Sequence, residues 1–259
     1  FGKLRQQCSA GGRDGYASAP WQCLYFLPEP QGQGALRCTL PQVAGLFGSI
    51  WAAAAVATAG MTRALAPSPS LVMLDEPFSS LDAGLRVETR QAVADALSAA
   101  HATAVLVTHD QSEALAMGHQ VAVLWQGRLV QTATPETLYR QPATPQLACF
   151  VGEAVLLPGV VRNAEVVCEM GALPLALAAP EGDATVMLRP EQIRVVGPSG
   201  GVPAVVEGRV FYGPDASVDL RLAASKQPVR VRLAGHLCPQ VGETVGLLVD
   251  GAAMAYEPA

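Results

Sequence analysis

Two adjacent carboxylates, Asp75 and Glu76, come after the apolar run Leu71-Val72-Met73-Leu74. Such a run reads as a strand of a parallel sheet covered on both faces. Groups at the C-terminal end of a parallel strand face the crevice where open α/β sheets bind ligands. An aspartate there can hold Mg2+, largely through water, because Mg2+ is hard and dehydrates reluctantly. A glutamate beside it can orient or deprotonate a water for attack on a terminal phosphate. Two neighbouring carboxylates repel unless a cation or hydrogen bonds compensate them. A plain acidic turn is the other reading of the pair. About one strand–helix unit later, Val105-Leu106-Val107-Thr108-His109-Asp110 ends a second apolar run with a histidine. His109 then stands at the same sheet edge as Asp75 and Glu76, within reach of the same phosphate. A histidine with a purely structural role is the plainer alternative.

The elements that must position these groups alternate. Leu85 to Ala100 has helical spacing, with Leu85, Val93 and Leu97 on its apolar face. Asp82 stands ahead of it as an N-cap. Ala104–Val107 is a strand, and Gln111–Met117 a short helix ended by Gly118 in the C′ position. Val121–Leu124 and Leu129-Val130 flank Gln126-Gly127, a hairpin turn. Thr134-Pro135 opens another helix, with proline in its first turn. Buried strands alternating with helices predict an open parallel α/β sheet. After Val151 short β-rich runs recur: Thr185–Leu188, Ile193–Val196, Ala204–Tyr212, Val218–Leu222, Val229–Leu233 and Thr244–Val249. Regular short strands separated by Gly or Pro predict a small barrel or sandwich.

Composition narrows the function classes. The chain has 259 residues, 50% hydrophobic and 15% charged, enough to bury a core. Its net charge of −5 argues against gripping nucleic acid through a basic surface. Lys3 and Lys226 are its lysines, so polybasic membrane docking is not expected. Six cysteines, at 8, 23, 38, 149, 168 and 238, lack zinc-site spacing and read as small buried thiols of a reducing compartment. Before residue 62 charges are sparse and no stretch shows sustained helical or strand periodicity. Val43–Thr62 is free of charge over a length that could span a bilayer. Its Ala- and Gly-rich content reads instead as a buried or artefactual helix. The chain opens on Phe1 rather than Met, which suggests a fragment or an incomplete gene model.

The string LVMLDEPFSSLD, followed by AVLVTHDQSEAL, resembles the nucleotide-binding subunit of ATP-binding cassette (ABC) transporters. The resemblance makes Asp75 the Walker B aspartate, holding Mg2+ through water, and Glu76 the catalytic glutamate. Ser79-Ser80-Leu81-Asp82 matches the D-loop, which adds Ser79, Ser80 and Asp82 to the nucleotide side of the site. His109 matches the switch histidine that senses the γ-phosphate. The likeness continues through Arg128–Gln131 and Pro135–Tyr139 to Phe150-Val151-Gly152. Met187-Leu188-Arg189-Pro190-Glu191 resembles the LRPE signature of importers with a C-terminal TOBE-type domain, and Gly208–Gly213 fits the strand after it. Phe150–Gly159 leans towards the ferric-iron branch. The implied fold is a partial P-loop NTPase: a parallel sheet with helices over 62–150, then a small all-β, OB-like domain over 151–259. Residues 1–61 stay unassigned. The implied cofactors are ATP and Mg2+. The implied partners are transmembrane permease subunits, a second ATPase subunit and, indirectly, a periplasmic or extracellular solute-binding protein, with no nucleic acid. The implied location is the cytoplasmic face of the plasma membrane, peripherally bound.

The departures are equally plain. No G-x-x-x-x-G-K-[ST] string occurs, so no loop of backbone N–H groups and lysine cradles phosphate. Trp51–Thr58 occupies the place of the LSGGQ signature, just ahead of Thr62–Pro67. No Q-loop is assigned. The abrupt switch near Met61 suggests that residues 1–61 derive from a frameshift or damaged gene, a genuine replacement being the alternative. The expected function is therefore an importer ATPase subunit with ATP binding impaired in this chain. A second class is an inactive remnant that binds or regulates through its β domain, whose cations include Arg189, Arg194, Arg209, Arg221, Arg230 and Arg232. A third is a small membrane protein anchored by residues 43–62.

Overall fold

The computed structural model describes residues 21–27, 64–67, 69–79 and 81–258. The expectations for residues 43–62 and for Ser80 lie outside them. Contacts divide the chain between Leu138 and Tyr139 into two compact units. Composition alone puts the change after 150, because it cannot see which body a short helix packs on.

In the first unit, β1 (Trp21–Leu27), β2 (Leu71–Asp75), β3 (Thr103–Thr108), β4 (Gln120–Trp125) and β5 (Arg128–Ala133) form one sheet in the order β2-β3-β1-β4-β5. Helix α1 (Ala83–Ala99) joins β2 to β3, and α2 (Gln111–Met117) joins β3 to β4. β2 and β3 are parallel, with Asp75 opposite Val107. β1 is antiparallel to both β3 and β4, so those two share a direction. The sheet thus contains the expected parallel strands, with an antiparallel strand between them. That strand corrects the reading of residues before 62 as patternless: Cys23-Leu24-Tyr25-Phe26-Leu27 is a short apolar run of strand length. β4 and β5 are joined by Gln126 and Gly127, at φ 50 and 74. Left-handed φ at both positions is the geometry of a hairpin turn matched to strand twist.

Burial of β2 is one-sided. Val72 is buried, while Met73 is 72% exposed and Leu71 faces solvent as well. The expectation of two-sided cover is corrected there; among the described residues β2 pairs with β3 alone. β3, in the interior, buries Ala104, Val105, Leu106 and Thr108. Val93 and Leu97 of α1 are buried, the i, i+4 stripe that seats a helix. Gly118 caps α2 in extended conformation at φ −75, not in the left-handed C′ form expected of it.

The second unit begins inside α3 (Pro135–Arg140) and includes α4 (Pro145–Val151), whose N-cap Thr144 accepts from the Leu147 N–H. Ten strands come next. They are β6 (Val155–Arg162), β7 (Glu165–Cys168), β8 (Gly171–Pro174), β9 (Gly182–Leu188), β10 (Ile193–Val196), β11 (Val202–Phe211), β12 (Asp215–Leu222), β13 (Pro228–Ala234), β14 (Thr244–Val249) and β15 (Met254–Tyr256). They make two antiparallel sheets, β10-β14-β11-β12-β13 and β15-β9-β6-β7-β8. One core runs through both, including Leu157, Val186 and Leu188 from one sheet and Val218, Leu220 and Leu247 from the other. Gly159 lies where β6 meets both β7 and β9. A Cβ there would stand 2.5 Å from Val186 Cγ2 and 2.9 Å from the Val167 carbonyl. Cys168 and Cys238 carry free thiols.

Arg189, just past β9, is 2% exposed. Its Nε and one terminal nitrogen donate to the Tyr139 carbonyl at 3.0 and 2.6 Å. The other terminal nitrogen donates to the Ala148 and Glu153 carbonyls at 2.9 and 2.8 Å. Its guanidinium also lies 4.1 Å from the Tyr139 ring centroid. A buried cation is costly unless all its donors are used, and here one side chain caps the ends of α3 and α4 together. This is why the segment from Tyr139 to Glu153 goes with the β strands.

Candidate functional site

The ends of β2 and β3 lie level, so the residues just past each strand meet. The Glu76 N–H donates to the Val107 carbonyl at 2.9 Å, extending the ladder by one residue. Glu76 then turns into the left-handed region, at φ 45. For a non-glycine residue this costs roughly 1–2 kcal/mol. The turn brings the carboxylate onto His109: Oε1 accepts from the His109 backbone N–H at 3.0 Å and lies 2.6 Å from its ring Nδ1. With Nδ1–H donating, Nε2 is left for a ligand.

The other residues expected at the site lie before and after this turn. Asp75 is exposed at the end of β2. Ser79 does not reach outward: its Oγ donates to the Glu76 carbonyl at 2.9 Å. Phe78, fully buried, pins the loop between them. Asp82 caps α1, its Oδ1 accepting from the Leu85 N–H at 2.9 Å.

A second group of side chains stands beneath this loop and was not singled out from sequence. Thr108, buried, donates its hydroxyl to Glu113 Oε2 at 2.7 Å and accepts from the Asp110 N–H at 3.0 Å. Asp110 Oδ1 accepts from the Ser112 N–H and hydroxyl, at 2.8 and 2.6 Å. Its Oδ2 accepts from Arg86 at 3.2 Å, and Arg86 donates also to the Leu81 carbonyl at 3.0 Å. Burial pushes the Asp110 carboxyl up, but the bonds from Ser112 and Glu113 and the charge of Arg86 together hold it below its ordinary value. For Glu113 burial prevails, and its carboxyl is raised despite the Thr108 hydroxyl. Asp110-Gln111-Ser112-Glu113 is a capping-box pattern, and that was the available signal. Glu113 departs from the pattern by turning to Thr108.

The donor set fits a hard cation in part. Asp75 offers an exposed carboxylate suited to Mg2+. Among the described residues no three His, Cys, Asp or Glu side chains cluster to hold a metal. Water and ligand oxygens would complete the shell.

Comparison with known proteins gives these residues a setting. Residues 186–256 match the TOBE domain family. The chain is 42% identical over 201 residues to the Fe(3+) ions import ATP-binding protein FbpC 2 of Rhodococcus jostii, covering 76% of this chain and 58% of that protein. FbpC of Pseudomonas fluorescens strain Pf-5 is 42% identical over 200 residues, covering 74% and 56%. FbpC of Serratia marcescens is 39% identical over 198 residues, covering 76% and 57%. The chain is a homologue of these ATP-binding proteins. As such a homologue it spans a little under three fifths of its relatives' length. It joins an α/β region to a TOBE domain, the fold class expected from its motifs. A solved structure, the molybdate-bound form of the cytoplasmic protein ModG, overlaps 40% of this homologue and 96% of its own chain. Its sequence identity is 12% and its TM-score 0.33.

Proposed function

We propose that this chain carries the Walker B, D-loop and switch-histidine part of an ABC importer ATPase, of the ferric-iron kind. The observation that carries the proposal is the double contact of His109 with one oxygen of Glu76, at the level ends of two parallel strands. In this reading Asp75 is the group that would hold Mg2+, which when bound would offset charge on the phosphates. Glu76 orients and deprotonates water, while His109 fixes the Glu76 carboxylate and presents Nε2 outward. Asp82 holds the first turn of α1 in place behind the loop. Ser79 and Ser80 are the D-loop serines in this reading, and the Ser79 hydroxyl braces the Glu76 carbonyl.

Within residues 1–259 no G-x-x-x-x-G-K-[ST] string occurs, and on that ground the proposal includes impaired nucleotide binding by this stretch alone. The purified chain incubated with MgATP is expected to show no turnover above a protein-free blank. Turnover that is abolished by Glu76→Gln would overturn that impairment. The proposed setting is peripheral, on the cytoplasmic face of the plasma membrane, beside permease subunits and a second ATPase subunit, with a solute-binding protein acting indirectly. Among the described residues no helix is long and apolar enough to cross a membrane. Co-purification of permease subunits from detergent-solubilised membranes tests the setting, and recovery of the chain without them counts against it. A second reading, a binding or regulatory module acting through the β unit, is favoured by the continuous two-sheet core of that unit. It predicts that the chain binds its partner equally well after Glu76→Ala.

A further inference from the structure

We infer that Glu113 is a positioning residue which, through Thr108, sets where His109 stands against Glu76. The inference rests on the proposed role of the Glu76–His109 pair. His109 lies between two anchored neighbours. On one side, the Thr108 hydroxyl donates to Glu113 Oε2 at 2.7 Å, with both residues buried. On the other, the Asp110 N–H donates back to that same hydroxyl at 3.0 Å. One oxygen atom therefore closes a ring across the His109 peptide unit. It fixes the direction of the His109 N–H, which donates to Glu76 Oε1, and of the ring, whose Nδ1 meets the same atom. A shift of the His109 backbone would alter both contacts together, because both end on a single oxygen.

Glu113 has reason to be there. It is 2% exposed, and burying a carboxyl group is unfavourable unless it is hydrogen-bonded. A glutamate in the first turn of a helix ordinarily reaches back to its own N-cap or out to water. Here it meets the hydroxyl just before the histidine. The charged groups that act on it are Asp110, Arg90 and Arg86. Arg86 also grips Asp110 Oδ2 and the Leu81 carbonyl, so the same network fixes both sides of the loop mouth.

The test uses the full chain and the imidazole nitrogen signals of His109, which differ between a hydrogen-bonded and a free Nδ1. The chain has 4 histidines, and His109→Ala identifies the resonance. Glu76→Ala removes the acceptor and defines the unbonded position. Thr108→Val, which keeps shape and deletes the hydroxyl, is expected to move the Nδ1 signal more than half of the way to that position. Glu113→Ala should do the same. Thr108→Ser and Glu113→Gln, which retain a hydroxyl and an acceptor, should stay near the wild-type signal. If Glu76→Ala moves the signal and Thr108→Val does not, the positioning role is overturned and the pair survives. If Glu76→Ala leaves the signal unmoved, the pair itself is absent and both readings fail. Should Glu113→Ala unfold, Glu113→Leu, which keeps most of the volume and deletes the acceptor, takes its place, and a wild-type signal in it overturns the role of Glu113.

Discussion

Arg189 and Glu76 are both charged groups at the ends of strands, and they are treated in opposite ways. In the β unit Arg189 is sealed in, and its guanidinium donates to three carbonyls and stacks on Tyr139. In the α/β unit Glu76 is partly open, sits at a strained φ, and gives both contacts from one oxygen to one residue. The first arrangement serves the fold, since four of its N–H donors are used on backbone carbonyls inside. The second leaves the Glu76 and His109 side chains partly exposed, close in sequence to the exposed Asp75. In the proposed reading, the structural charge and the reactive one are told apart by where their remaining hydrogen-bonding capacity points.

The sharpest way to break this contrast is Arg189→Ala. It strips partners from three buried carbonyls at once, so a loss of about 3–5 kcal/mol is expected. Urea unfolding of the full chain measures it, and Arg189→Lys should restore part of it. A loss under about 1 kcal/mol would mean that water replaces the guanidinium.

Next in size is Leu24→Pro in β1. Proline removes a ladder donor from a strand paired on both edges, at a cost of about 3 kcal/mol or more. The expected result is melting of the first unit at a temperature where the β unit still holds, seen as two separated thermal transitions. A single unchanged transition would remove β1 from the sheet.

Tyr139 offers a milder probe of the sealed region. Burial first, and then the bond to Glu191, push its phenol from 10.0 up to about 12. Between those values the unfolded chain has lost a proton that the folded chain keeps. Stability therefore falls as pH rises through that window. The effect is of order 1 kcal/mol once the partial exposure of Tyr139 is discounted. Tyr139→Phe should flatten the pH dependence above pH 10, as followed by the denaturation midpoint. An equal slope in both proteins would place the titration elsewhere.

The smallest expected effect belongs to Asp82→Ala, which removes the N-cap of α1. About 1 kcal/mol should be lost, with Asp82→Asn nearly neutral. Urea unfolding of the full chain measures it, and a loss well above that would assign Asp82 a role beyond capping.

Much of this arrangement is legible in the residues themselves. The strand ends at Asp75 and His109, the cap at Asp82 and the hairpin at Gln126-Gly127 all obey local rules that act within a few residues. Strand direction does not, because alternating or continuous apolar patterns read the same in either sense. That is why the antiparallel insertion of β1 escapes a reading built on strand–helix alternation. Two-sided burial of β2 fails for a related reason: an apolar run reports what a strand prefers, not which of its faces is covered. Arg189 is recognisable as part of a signature, but its partners are the backbone carbonyls of Tyr139, Ala148 and Glu153. Every residue carries a backbone carbonyl, so no residue type could announce them.

β1 also has a consequence in time. It is made before its partners, since Trp21 pairs with Trp125 and Cys23 with Thr108. During synthesis, both of its edges wait until most of the first unit has emerged. Long loops must close before those pairings reward the chain, which makes the step slow. In that interval the segment from Cys23 to Leu27 is an unpaired apolar strand, the kind of surface that binds other nascent chains or a chaperone. The yield of folded protein should therefore depend on how fast the ribosome delivers β4.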